Sequence, residues 1–285
     1  MATTLFHLTY QVARELKATV EGDATGGAVG SLTDANYLLN LYPDSYFLRG
    51  SIWILRDAGG AGAAPEGEHR IVTGFTKSTG VVAVSPNFSV APAVGDHYAL
   101  ANELYPLSQI VSYINDVLGE IFVPYINVTL VTAAAQTEYT LPAAIQNLEG
   151  LEVWLQTYTS DTDDNRYHQI SGWRVEETAL GTAKTLVLDH QYQTGSILKL
   201  VYYLPHPVLY VVGDKLHEFI EPKRVVLEAA YRLLLARKAK FGDSDPDINQ
   251  LVQELQGRAE RAKWQNPNRR NRVKLASLGI MDGEL

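Results

Sequence analysis

The chain has 285 residues, with 24 Lys or Arg against 32 Asp or Glu, and it has no cysteine. That length suits about two domains with a core that needs neither disulfide nor metal, and the missing thiol excludes cysteine nucleophiles, disulfide frameworks and cysteine-based zinc sites. The net charge of −8 is uneven: Pro222 to Leu275 carries thirteen basic and six acidic side chains, leaving 11 and 26 elsewhere, a balance of −15 that repels nucleic acid.

Met1 to Leu5 has no basic stretch leading into an apolar run, so no signal peptide is expected. Thr4 to Val20 reads as a short amphipathic helix with Leu5, Leu8, Val12 and Leu16 on one side. Gly22 to Gly30 reads as a flexible link. From Ser31 to Leu100 the pattern is β, with runs at Ser51–Leu55, His69–Val72 and Gly80–Val84 between Gly- and Pro-rich turns. Together these make an N-terminal helix plus small β-domain over residues 1–101.

Pro106 to Ile121 carries Leu107, Ile110, Val111, Ile114, Val117, Leu118 and Ile121 at helical spacing. A second β-unit follows over about 126–204. In it Leu151 to Thr157 alternates apolar and polar residues as a half-buried strand does. The longest apolar run, Leu198 to Gly213, is broken by Lys199, Pro205, His206 and Pro207, so no membrane span is expected.

Pro222 then opens a helix with Val225, Val226, Ala229, Ala230, Leu233 and Leu234 on its stripe, closed by Phe241-Gly242. Asp245-Pro246-Asp247 opens another, with Ile248, Leu251, Val252, Leu255, Ala259 and Ala262 inward, stopped at Asn266-Pro267. The expected fold is α+β: a helical bundle (about 106–121, 222–241 and 246–264) with an inserted antiparallel β-unit, together an adaptor core over 102–265. The small N-terminal β-domain precedes it, and a basic arm over 266–285 follows.

Catalytic templates fail on inspection. Gly59-Gly60-Ala61-Gly62 lacks the Lys-Ser/Thr of a phosphate loop, and Pro65 stands where a dinucleotide motif needs glycine. Ser196-Ile197-Leu198-Lys199 matches Ser-x-x-Lys in letters but falls in a strand pattern. His217-Glu218 lacks a second histidine. Asp161 to Asn165 has Arg166 where a calcium loop needs glycine. The series Asp243, Asp245, Asp247, Asn249 and Glu254 has Ile248 there, so a solvated turn and a helix cap are favoured over metal in both. Glu176-Glu177 point to opposite faces of a strand. The residues read as a non-enzyme with no catalytic, cofactor or metal site.

The segment Tyr105-Pro106-Leu107 through Gly119-Glu120-Ile121, then Thr137-Glu138-Tyr139-Thr140-Leu141-Pro142, Trp154, Leu198-Lys199-Leu200-Val201-Tyr202-Tyr203 and Pro222 to Ala230 form an ordered series. That series resembles head–tail connector (adaptor or neck) proteins of tailed bacteriophages, the podovirus tail tubular protein A type being the comparison. The run holding Ser31-Leu32-Thr33-Asp34, Gly50–Ile54, Pro86-Asn87-Phe88 and Ala91–Asp96 is similar to β-modules of phage virion proteins.

The resemblance implies a structural virion protein, made in the host cytoplasm and placed in the neck of the tail. It implies a homo-oligomeric ring of twelve copies that joins the capsid portal to the tail tube, nozzle or other neck proteins. Genomic double-stranded DNA would pass through it during ejection without specific binding. It further implies that the arm docks on the portal, through Arg269, Arg270, Arg272 and Lys274 for charge and Leu275, Leu278 and Ile280, with Met281, for apolar contact. The acidic body is compatible with a channel in which DNA must slide. Two other readings remain open: a tail or baseplate fibre-attachment protein, and a glycan-binding tail module that stacks sugars on Trp53, Trp154, Trp173 and the tyrosines.

Overall fold

The computed structural model of the chain describes residues 3–60, 62–143, 145, 150–156, 167–177, 184–241 and 246–266. The chain divides into two compact units. Unit 1 combines Met1–Ile121 with Pro207–Pro267, and unit 2 includes Phe122–His206. The boundary expected between 101 and 102 therefore falls inside unit 1.

Unit 1 holds a seven-stranded antiparallel sheet built from β1 (Thr19–Asp23), β2 (Gly26–Ala28), β3 (Ser31–Thr33), β4 (Ser51–Arg56), β5 (His69–Thr76), β6 (Val81–Ser85) and β7 (His97–Ala101), in the order β1-β7-β4-β5-β6-β3-β2. β1 and β2 are the two ends of that order, yet only Ala24 and Thr25 separate them in sequence. So short a connection spans at most roughly 10 Å, which obliges the sheet to roll up on itself. Inside the roll lie Leu32, Leu38, Phe47, Ile52, Ile54, Val72, Phe75, Val82, Tyr98 and Leu100.

β4 is buried on both faces from Ser51 to Ile54. Ile52 and Ile54 point into the roll. Trp53, alternating with them, reaches α1 (Leu5–Glu15), where its indole Nε1 donates to Thr9 Oγ1 at 3.0 Å. Helix α1 packs on α2 (Leu107–Gly119) and on α3 (Pro222–Phe241), and α3 packs on α4 (Pro246–Gln265). Residues Val225 to Ala230 of α3 are buried without interruption, because neighbours surround this helix on several sides. It is therefore less amphipathic than an apolar stripe suggests. The start of the chain is pinned beside α3: Leu5 N–H donates to Asp214 O at 2.9 Å and Leu216 N–H to Thr3 O at 2.8 Å.

Unit 2 is two antiparallel sheets on a shared core. One has the order β11-β10-β14-β8, from β8 (Phe122–Val131), β10 (Glu152–Gln156), β11 (Tyr167–Ile170) and β14 (Ile197–Pro205). The other has the order β12-β13-β9, from β9 (Glu138–Thr140), β12 (Trp173–Glu177) and β13 (Lys184–Leu188). Tyr139, Leu186 and Leu188 of the smaller sheet meet Val153, Leu155, Leu198, Leu200 and Tyr202 of the larger. A bulge opposite Leu198–Leu200 shifts the register of β8, and there the Asn127 carboxamide oxygen accepts the Thr129 N–H at 3.0 Å and its hydroxyl at 2.8 Å.

These observations overturn the expected helical bundle with an inserted β-unit. Among the described residues there are fourteen strands in three antiparallel sheets and four helices, so the chain is mostly β. The helices share unit 1 with the largest sheet instead of framing a smaller one. A second correction concerns Gly22 to Gly30, read as a flexible link. Its residues run through β1 and β2, with Gly26 opposite Thr33 and Asp23 opposite His97. α1 also stops earlier than Val20, at Glu15, and Lys17 takes a left-handed φ of 53° before β1 begins.

Candidate interaction surfaces

Unit 1 has two neighbouring clefts that share Arg237. The first, about 490 Å³, is bordered by Tyr42, Tyr46, Tyr105, Ile248 and Glu254. The second, about 580 Å³, is bordered by Glu103, Gln109, Tyr113 and Asp116. The Arg237 guanidinium donates to the Tyr105 hydroxyl at 2.5 Å and lies 4.9 Å from that ring's centroid. Asn102 Nδ2 donates to the Tyr46 hydroxyl at 3.3 Å, and burial with the neighbouring Tyr37 pushes the Tyr42 phenol up to about 12. The Tyr46 and Tyr105 hydroxyls pair with fixed partners and the Tyr42 phenol holds its proton, which suits contact better than proton transfer.

A third cleft, about 540 Å³, is formed by Thr3, the stretch Leu216 to Pro222, and Asn266. Asn266 is held there. Its backbone oxygen accepts from Arg224 Nη1 at 2.7 Å, and its N–H donates to Ala262 O at 3.0 Å.

Several large apolar side chains face solvent. Trp264, near the end of α4, is 86% exposed and Tyr210 is 81% exposed. Tyr210 and Val211 are not loosely held, because both N–H groups donate to Asp214 Oδ2, at 2.6 and 2.8 Å. Those two bonds keep the Asp214 carboxyl below its ordinary pKa. In unit 2, Ile126 (62% exposed), Val128 and Val131 of β8 are exposed. Isolated apolar residues on a surface are ordinary, whereas aromatic side chains on a fixed turn and at a helix end are suited to an interface.

The chemistry tested in the sequence is distributed as follows. Among the described residues, no group of three or more His, Asp or Glu is placed to hold a metal. Asp247 lies in the first turn of α4, while Asp161 to Asn165, Asp243 and Asp245 lie outside the described residues. Ser196 sits at the mouth of β14, where its N–H donates to Thr132 Oγ1 at 2.9 Å, and the Lys199 ammonium sits over the Tyr167 ring. Thr4 Oγ1 and His7 Nδ1 are 2.8 Å apart, but this is a local contact between the N-cap residue and the first turn of α1, and Thr4 makes no capping bond to the backbone. The tryptophans weighed as stacking platforms divide. Trp53 is fully buried, Trp154 Nε1 donates to Glu152 Oε2 at 3.1 Å, and Trp173 Nε1 donates to Ile170 O at 3.1 Å.

Arg269, Arg270, Arg272, Lys274, Leu275, Leu278 and Ile280, with the arm that carries them, lie outside the described residues. The surfaces that sequence reasoning did not single out are Trp264 and the Tyr210-Val211 turn. A signal for the first existed: Trp264 falls off the stripe of Leu255, Ala259 and Ala262, so it projects away from the helix's buried side. Among the described residues no helix is long and apolar enough to cross a membrane. The sequence matches no protein-family model and no curated protein.

Proposed function

We propose that this chain is a structural subunit of a bacteriophage neck, assembling as a ring between the capsid portal and the tail and lining the passage for DNA. Its ordered series of segments, from Tyr105–Ile121 to Pro222–Ala230, resembles head–tail connectors. The observation that carries the reading is the set of solvent-facing apolar side chains, Tyr210, Val211 and Trp264 in one unit and Ile126, Val128 and Val131 in the other. A subunit whose work is done by contact with several neighbours needs such surfaces on each of its parts. The acidic balance outside the C-terminal segment supports a channel that does not hold the phosphate backbone. In this reading the protein works without a catalytic residue or cofactor, and Arg269, Arg270, Arg272, Lys274, Leu275, Leu278 and Ile280 contact the portal.

Native mass spectrometry tests the reading. The protein is measured alone and then mixed with the portal of its own phage. A ring-sized species that forms with portal, and is lost when the chain is truncated after Trp264, is the expected result. A monomer indifferent to portal overturns it.

A further inference from the structure

We infer that the second cleft, beside Arg237, takes Trp264 of another copy of this chain, so that subunits join head to tail. Both surfaces belong to unit 1, yet they do not meet within one chain. Trp264, near the end of α4, is the most exposed of the large apolar side chains described. That end of α4 is held against the first half of α3, by Lys263 on Glu228 and by Arg224 on the Asn266 backbone oxygen. Arg237 stands nine residues beyond Glu228 on α3, roughly 14 Å further along the helix.

The chemistry of the cleft names its occupant. The Arg237 guanidinium stacks on the Tyr105 ring and has no carboxylate partner among the described residues. A planar guanidinium stacks on either face, and indole is the strongest aromatic partner for a cation. Leu104 and Tyr113 supply apolar wall, and the Gln109 carboxamide supplies an acceptor for the indole N–H. Charge matches as well. Glu103 and Asp116 line the cleft, both exposed, and neither has an ion pair among the described residues. Arg261, one turn before Trp264, is an exposed cation whose Nε donates to the Gly257 backbone oxygen, and it too has no ion pair among the described residues.

A projecting tryptophan beside a cation on one copy thus meets a cation-floored cleft with an acidic rim on the next. The two patches differ, so the contact is heterologous. It repeats from copy to copy, and it closes into a ring when the rotation between copies allows. This contact deepens the ring reading and rests on it for closure.

The chain has no cysteine, so single introduced thiols report the contact. Glu260→Cys, one turn from Trp264, and Ser112→Cys, on the cleft wall, are made in separate full-length chains. The two are mixed and treated with a short bismaleimide, both alone and with the portal. Cross-linked dimers holding one of each chain are expected in excess of either homodimer. Trp264→Ala in the Glu260→Cys chain should lower their yield about tenfold or more. Arg261→Glu in that chain should lower it about threefold, and Glu103→Lys in the other chain should recover it. Melting temperatures check that each variant folds. Mixed dimers no more frequent than homodimers under both conditions overturn the proposal, and so does a yield unaffected by Trp264→Ala. Cross-links in the expected pair without a ring-sized species on adding portal would keep the contact and remove the neck reading. A ring-sized species without those cross-links would remove the contact alone.

Discussion

Arg232 on α3 grips Glu120, just past the end of α2, with two hydrogen bonds of 2.8 and 2.6 Å, and the same guanidinium reaches the buried Glu228 at 2.5 Å. Lys263 of α4 closes on Glu228 from the other side at 2.8 Å. One buried carboxylate is thus neutralised by two helices. Its desolvation is tolerated only while those cations are present. Arg232→Met should therefore destabilise the protein by about 2–4 kcal/mol, while Glu120→Gln, at an exposed carboxylate, should cost roughly 1 kcal/mol or less. Urea unfolding of the two variants separates the contributions.

His69 gives the fold a pH dependence. Burial, then the adjacent positive charge of Arg70, pushes its imidazole down to about 4. The folded state therefore prefers the neutral ring, and the unfolded chain binds the proton more readily between about 6.5 and 4. The stability that this group contributes is complete above pH 6.5 and is lost as pH falls through that window, on the order of 3 kcal/mol in all. His69→Gln should flatten the slope of unfolding free energy between pH 6.5 and 4. An unchanged slope assigns the acid sensitivity to other groups.

Gly50 stands where β4 meets β7. A Cβ there would lie 1.9 Å from the Ala101 backbone oxygen and 2.8 Å from that of Phe47. Neither is the flexible end of a side chain, so the strands must separate. Gly50→Ala should cost roughly 3 kcal/mol or more, measured by thermal unfolding. Gly119→Ala, where the added methyl meets open space, is the matched control.

Asp34, fully buried, accepts the Asn36 and Tyr37 N–H groups on one oxygen and the Tyr98 hydroxyl, at 2.6 Å, on the other. Burial and this carboxylate push the Tyr98 phenol far up. Asp34→Ala strands three donors in the core and should cost about 2–3 kcal/mol, whereas Tyr98→Phe removes one donor and should cost nearer 1 kcal/mol. Denaturant midpoints at constant slope check the ranking.

Tyr210 and Trp264 provide the test of the surface reading. Because both side chains face water, Tyr210→Ser and Trp264→Ser should each change stability by less than about 0.5 kcal/mol. In the mixture with portal they should nonetheless weaken the ring-sized species. Loss of stability with unchanged assembly would return both residues to a structural role.

The parts legible in the sequence were those with strong punctuation. Pro222 and Pro246 stand at the starts of α3 and α4, and each helix is long enough for its apolar spacing to repeat. The β content was underestimated in part because β2 and β3 have three residues each, too few to alternate visibly. Such strands are specified by partners distant in the chain, as when Thr19 to Asp23 pairs with residues 97–101. Gly22 illustrates the problem. Its composition suggested a linker, but a Cβ at this position would come within 2.7 Å of the Tyr98 hydroxyl. The carboxylate role of Asp34 was equally hidden, since nothing local announces a tyrosine 64 residues away. Arg269 to Ile280 were chosen by charge and by resemblance, and no short-range pattern says what they touch.

Unit 1 is interrupted in sequence by residues Phe122–His206 of unit 2, and this sets an order of events during synthesis. The apolar face of α1, with Leu5, Leu8 and Val12, is completed in part by α3, more than two hundred residues later. The unit 2 strands from Phe122 to Pro205 emerge before that partner does. The nested unit can therefore finish first, while the N-terminal helix, which has only α2 and the sheet to pack on, waits partly uncovered. At synthesis rates of roughly 5–20 residues per second the wait lasts about 10–40 s, long enough for a holdase chaperone to engage. A nascent chain stalled before Pro222 should be captured by such a chaperone, and one stalled well beyond Gln265 should not.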